Sequence, residues 1–407
     1  MTATLAARCA ADGEFRLAAR HWTGGFRFGL DGDEASVRVV DGVPEDGDPG
    51  EGAGVVTLTG PAEVWAKLLS ATPPRLVTDV AAAMAIGLRR EGDPLAFWQY
   101  YPALQRAVEL LRPERPDTAP VEDHERFDAP VGRYVHVDLD GQDHRIYVEA
   151  AGQGIPLLLQ HTAGSHSVQW RHLFECAEIT DHFRLVAYDL PFHGKSLPPV
   201  GPRWWETPYR LTAARARALP VALADALGLD RPVFMGCSVG GLLALDLAAH
   251  HPGRFRAVIS LEGPLKIDGN VDALVGFWHP QVSNETKARI MEGLMAPVAP
   301  AAYRKETAYA YAAGWPQSFI GDLHYYFDDF DLRATPVDTT KTAVHILTGE
   351  YDHSAPIEAG RAAHEAIDGS TFTVMEGLGH FPMSEDPERF LDHLLPVLRS
   401  ISTQETR

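Results

Sequence analysis

Cysteine is scarce in this chain. Its three residues in 407, Cys9, Cys176 and Cys237, are too few and too scattered for a disulfide framework or a zinc site, and no metal is expected. Long hydrophobic runs are missing as well. No stretch approaches the eighteen or so apolar residues that a membrane-crossing helix needs. Residues 1–15 carry Asp12 and Glu14 where a secretory leader would be apolar. A cytoplasmic protein without a membrane span is therefore expected. Positive charge is in short supply too: 36 Lys and Arg against 55 Asp and Glu leave a formal charge of −19. Such a chain repels phosphate backbones, and no Lys or Arg run offsets this, so nucleic acid is excluded as the main partner. The 36 glycines and 30 prolines follow no period, which excludes a collagen-like or low-complexity chain.

What is present is globular. Hydrophobic residues make up 45% and charged residues 22%, and the length suggests two or three domains. The boundary falls in residues 112–132, where Arg112-Pro113-Glu114-Arg115-Pro116 opens a charged, proline-rich stretch that reads as a linker. In residues 1–111, alternation at 15–22, 25–30, 35–40 and 55–59 predicts strands, with a turn at Asp31-Gly32. Helical spacing follows at 62–69, 76–88 and 95–111. Strands first and helices after them indicate a small α+β domain. In residues 133–401 the order alternates instead. A hairpin at 134–150 is followed by short apolar strands near 156–160, 183–189, 232–235, 257–261, 343–348 and 371–375, most of them separated by helices. That is the pattern of an α/β domain with a mostly parallel sheet covered on both faces. Residues 264–341 form a long aromatic, helical insertion where a cap would sit.

Gly236-Cys237-Ser238-Val239-Gly240-Gly241 stands between a strand and a helix. A serine on so sharp a turn is lifted out of the sheet, with the helix N-terminus aimed at it, and flanking side chains would collide. Its hydroxyl attacks only if a base takes the proton, and the base needs an orienting carboxylate. Asp352, after one strand, and His380, after the next, supply the acid and the base in that chain order; Glu262 is the alternative acid, ahead of Glu350 and Asp386. The oxyanion donors expected are the N–H groups of Val239 and of Ala163, in His161-Thr162-Ala163-Gly164-Ser165. His161 is expected to brace that loop. Clustered aromatic residues, among them Trp205, Trp278, Trp315 and Phe381, suit a hydrophobic small-molecule substrate, with His161 also near it. Taken singly, most of these aromatics are expected to pack the insertion against the core. Cys237 reads as a small buried elbow residue, and Gly152-Gln153-Gly154 is too sparse for a dinucleotide loop.

Together with Asp189-Leu190-Pro191-Phe192-His193-Gly194-Lys195-Ser196 and Gly379-His380, these landmarks resemble the α/β-hydrolase superfamily over residues 133–401. The resemblance implies a capped serine hydrolase needing no cofactor, similar to meta-cleavage product hydrolases, enol-lactonases and carboxylesterases. Its substrate would be an ester, thioester or lactone, or alternatively a carbon–carbon bond in a vinylogous diketone. One departure is Thr162, where the superfamily usually has glycine. The first domain resembles, on residues 26–40, 54–60 and 87–93, the sterol carrier protein-like fold, which implies an apolar ligand tunnel or else a structural or dimerising role. A third reading follows from it: a lipid or sterol carrier with a vestigial triad. A homodimer is plausible with such an added domain.

Overall fold

The computed structural model describes residues 4–30, 33–118 and 127–404. They pack as two compact units. One comprises the described residues up to Thr118 together with His279–Gly293; the other comprises those from Phe127 to Trp278 and from Leu294 onward.

The first unit is built on a five-stranded sheet: β1 (Gly24–Leu30), β2 (Asp33–Val40), β3 (Val43–Asp46), β4 (Val55–Thr59) and β5 (Arg89–Gly92), in the order β3-β2-β1-β4-β5. All pairs are antiparallel except β1 with β4. Alternation along β1 sends Phe26 and Phe28 inward, where they meet Phe15, Trp22, Trp65 and Phe97, all buried. The sequence reading needs correction in three places. Residues 15–22 were expected as a strand, but 13–18 are helical (Gly13–Ala18). The Asp12 carboxylate, which is paired with Arg106 at 2.7 Å, accepts the Phe15 N–H at 2.7 Å and starts a helix there. Residues 76–88 hold only the short helix Val80–Met84, capped by Asp79; the chain then turns at Gly87 (φ +117°) into β5. Residues 95–111 form two helices, Pro94–Gln99 and Tyr101–Glu109, because Pro102 has no N–H to continue the first. The Asp31-Gly32 turn and linker residues 119–126 lie outside the described residues.

The helix Asn284–Glu292 belongs to this unit although it comes from within the 264–341 insertion. Ser283 caps it, Thr286 Oγ1 donates to the Trp98 carbonyl at 2.7 Å, and buried Arg289 pairs with Glu109 and Glu292.

The second unit holds an eight-stranded sheet: β6 (Val131–Leu139), β7 (Gln142–Ala151), β8 (Ile155–Gln160), β9 (Phe183–Tyr188), β10 (Val233–Cys237), β11 (Ala257–Leu261), β12 (Ala343–Gly349) and β13 (Thr371–Met375). The order is β13-β12-β11-β10-β8-β9-β7-β6, parallel from β13 to β9 and antiparallel at the β6–β7 hairpin edge. β10 and β11 are buried at every position, as expected of central strands covered on both faces. This is the α/β-hydrolase fold, joined to a smaller α+β unit. Central β10 ends at the serine elbow, so loops from neighbouring parallel strands converge there. Between β11 and β12 the second unit carries the helices Ala301–Ala313 and Pro316–His324 and the π-helical turn Tyr325–Asp329.

Candidate active site

Ser238 sits between β10 and the helix Val239–His250 with φ 58° and ψ −114°, a region ordinary residues avoid. Holding it there costs about 1–3 kcal/mol. Its N–H donates to the Leu261 carbonyl and its carbonyl accepts the Leu242 N–H, each at 2.9 Å. The flanking glycines are required by close approach. A Cβ on Gly236 would collide with the Gly240 carbonyl, and one on Gly240 would stand 2.9 Å from the Gln160 carbonyl.

The loops after β12 and β13 bring Asp352 and His380 together. His380 Nδ1 lies 2.6 Å from Asp352 Oδ2, and the Ser354 N–H donates to Asp352 Oδ1 at 2.7 Å. Of the four acids weighed from the sequence, Asp352 is therefore the one bonded to the histidine. Glu262 stands behind it, fully buried at φ 55°, hydrogen-bonded to Asp352 and accepting the Gly349 N–H at 2.8 Å. Burial pushes the Glu262 carboxyl far up, and the adjacent Asp352 charge pushes it further. Burial alone would also raise Asp352, but His380 and the Glu262 hydrogen bond hold it below its ordinary value. The pair thus keeps one proton, on Glu262, and one charge, facing His380. Glu350 accepts the Gly377 N–H at the surface, and Asp386 pairs with Arg389.

Buried Glu385 holds the histidine loop from below. It accepts N–H groups from Gly379, Phe381 and Ala296, and burial pushes its carboxyl up to about 7 despite them. The Cys237 thiol donates to the His380 carbonyl at 3.1 Å; burial pushes it far up, which keeps it unreactive.

The loop after β8 carries the expected oxyanion donor. Among the described residues, the N–H groups of Ala163 and Val239 are not spent on any protein acceptor. Their neighbours are tied down. The Gly164 N–H donates to Asp322 Oδ2 at 2.9 Å, and that carboxylate also takes the Tyr209 hydroxyl at 3.0 Å and His193 Nε2 at 2.9 Å. Burial alone would lower His193, yet the Asp322 charge and hydrogen bond raise it above its ordinary value. His161 spends both ring nitrogens within the loops, Nδ1 on the Thr162 carbonyl and Nε2 on the Leu190 N–H. The Thr162 hydroxyl bonds Gln169 and Tyr311, so the side chain that replaces the usual glycine is fully accommodated.

The expected substrate-binding aromatics are spread out. Phe381 is buried against His380 (4.9 Å between ring centroids) and Tyr311 (5.4 Å). Trp315 stacks on Phe192 at 5.5 Å beside a cavity of about 630 Å³, which Tyr309, His166, Asp189 and Lys195 also line. Trp205 packs on Trp204 but is 63% exposed, and Trp278 is 40% exposed. The sequence reading did not single out Asp322 or Glu385. Asp322 is an acid on an otherwise apolar helical turn, between Phe319 and Leu323, and that is the signal it offers; Glu385, flanked by Ser384 and Asp386, offers none.

An α/β sheet ending in this elbow, with a histidine bonded to an acid on neighbouring loops, defines a hydrolase. The Alpha/beta hydrolase family matches residues 157–393, and the chain belongs to it. It is similar to a pimeloyl-[acyl-carrier protein] methyl ester esterase of Vibrio vulnificus, 25% identical over 61% of this chain and 96% of that protein. It is likewise similar to a 2-hydroxymuconate semialdehyde hydrolase of Pseudomonas putida, 25% identical over 61% and 88%. A thermophilic esterase of Thermogutta terrifontis shares the fold with a TM-score of 0.55, covering 67% of this chain and 99% of that one at 21% identity. Among the described residues, no helix is long and apolar enough to cross a membrane.

Proposed function

We propose that this hydrolase cleaves an ester, thioester or lactone bond of a hydrophobic small molecule through an acyl-enzyme on Ser238. The observation that carries the reading is the 2.6 Å contact of His380 with Asp352, on loops beside a serine strained to φ 58°. His380 takes the Ser238 proton as Oγ bonds to the substrate carbonyl carbon, and Asp352 steadies the imidazolium. The N–H groups of Val239 and Ala163 receive the oxyanion. When the tetrahedral intermediate collapses, the bond to the leaving group breaks and His380 returns the proton to it. Water then attacks the acyl-enzyme by the same route and regenerates Ser238.

Fluorophosphonate labelling with intact-mass readout, on the native chain and on Ser238→Ala, tests the assignment, alongside turnover of short p-nitrophenyl esters. A single adduct lost in the variant, with ester turnover, is expected. A folded native chain without an adduct would overturn the reading. The similarity to the Pseudomonas hydrolase supports a second reading, cleavage of a carbon–carbon bond in a ring-opened diketone. An adduct with no ester turnover but bleaching of coloured ring-cleavage diketones would favour it. For the first unit the proposal is a structural role rather than an apolar tunnel. Phe26, Phe28, Trp22, Phe97 and Tyr101, all buried, fill the space beneath its sheet.

A further inference from the structure

Tyr326 lies in the π-helical turn Tyr325–Asp329, a rare geometry that re-aims side chains and recurs at functional sites. The turn is anchored on both sides of the residue. The Tyr325 hydroxyl donates to Asp246 Oδ2 at 3.0 Å, and Lys266 Nζ donates to the carbonyls of Phe327 at 2.6 Å and Phe330 at 3.1 Å. Tyr326 itself is buried, with 3% of its surface exposed. Its hydroxyl is 3.1 Å from Ser354 Oγ, and Ser354 in turn donates its N–H to Asp352 Oδ1 at 2.7 Å, which puts the phenol beside the acid that meets His380.

The strand order says which side of the substrate this phenol faces. Ser238 follows β10, which has β8 on one flank and β11, then β12, on the other. The oxyanion loop follows β8, whereas Ser354 follows β12, two residues after Asp352. Tyr326, held by Ser354, therefore stands on the acid and histidine side of the nucleophile, away from the expected oxyanion donors. A carbonyl with its oxygen in that hole turns its leaving group toward this side. We infer that Tyr326 is a catalytic residue whose phenol donates a hydrogen bond to the leaving-group oxygen, selecting for esters with poor, alkoxide leaving groups. The inference rests on the proposed acyl-enzyme reading.

In this role Ser354 Oγ–H donates to the Tyr326 oxygen and leaves the phenolic proton free for the substrate. As the bond to the leaving group breaks, the electron pair goes to its oxygen and the proton comes from His380. Tyr326 shares its hydrogen bond with that oxygen but keeps its own proton. Burial pushes the phenol well above its ordinary value, so it remains a donor throughout the working pH range. A hydrogen bond of this kind matters most where negative charge builds up most, on an alkoxide, and least on a p-nitrophenolate that already spreads its charge.

The test compares an alkyl butyrate with p-nitrophenyl butyrate on the native chain and on Tyr326→Phe, with fluorophosphonate labelling to count intact Ser238. Loss of the phenol is expected to lower kcat/KM by about tenfold or more on the alkyl ester and by about threefold or less on the p-nitrophenyl ester. Equal losses on both esters, or none, with the label intact, would overturn the inference and leave the acyl-enzyme reading standing. A native chain that takes no label would bring down both. Should Tyr326→Phe not fold, Ser354→Ala carries the same comparison, with a bias in the same direction but smaller expected. A uniform loss in that variant would also overturn it.

Discussion

The two units treat buried polarity differently. In the first, aromatic rings fill the interior: Phe26 on Phe28 at 4.7 Å, and Trp22 stacked on Tyr100 at 4.6 Å. Its buried polar groups cap helices or tie them together: Asp79 caps one through the Ala82 N–H and takes the Tyr101 hydroxyl, and Arg289 pairs with Glu109 and Glu292. In the second, Glu262, Asp322, Asp352 and Glu385 are buried beside His161, His193 and His380. Both units hold non-glycine residues at positive φ, His21, Asp41 and Leu76 in the first, but in the second two of them, Ser238 and Glu262, fall at the elbow and beside Asp352. Ordering charges and strain of this kind works against stability, and a sheet buried on both faces supplies the rigidity to hold them. The first unit puts its burial into packing; the second puts it into a preorganised site.

The difference can be broken or sharpened by substitution. The largest effect should come from Asp352→Asn. Ester turnover should fall about 10⁴-fold with the Ser238 fold intact, as seen by kcat/KM and circular dichroism together. Asp322→Ala takes the carboxylate partner from buried His193 and releases the Gly164 N–H. Unfolding free energy should fall by about 3–5 kcal/mol, and turnover per folded molecule should fall too. By contrast, Phe28→Ala in the first unit should cost about 3–5 kcal/mol in urea unfolding yet leave turnover per labelled Ser238 unchanged. A change in that ratio would mean that the first unit takes part in the chemistry.

A smaller, pH-dependent effect is expected at His345, which is 6% exposed and pushed by burial down from 6.5 to about 4. The folded value lies below the unfolded one, so its contribution is fully present above pH 6.5. It is lost as pH falls through about 4, and amounts to about 3 kcal/mol in all. In His345→Gln, urea midpoints at pH 7 and pH 4 should differ by correspondingly less than in the native chain. The smallest effect belongs to the Arg38–Glu45 pair, 53% and 44% exposed, where Arg38→Ala should change stability by less than about 1 kcal/mol.

How much of this was legible in advance follows from the range of each interaction. The apolar runs of β8 to β12 and the glycines around Ser238 stand out because they are local demands: a fully buried strand must be apolar, and a sharp elbow admits no side chain at Gly236. Residues 15–22 were misread because alternation over eight positions does not outweigh a single Asp12 cap. Glu385 and Asp322 were harder to read as site residues, because the partners of Glu385 are backbone N–H groups and those of Asp322, Gly164, His193 and Tyr209, lie 113 to 158 residues away in the chain.

By itself the sequence determined the fold class, the strand–elbow–helix at Ser238 and the chain order of Ser238, Asp352 and His380. Each of these depends on residue type within a few positions. Only the tertiary structure decided that Asp352 rather than Glu262 meets His380, that Asp322 steadies the loop after β8 across 158 residues, and that Asn284–Glu292 joins the first unit. It likewise decided that Tyr326 meets Ser354, two residues beyond Asp352. Those outcomes depend on where separate loops and helices arrive above one sheet. Packing of the whole chain sets such distances, and spacing along it does not.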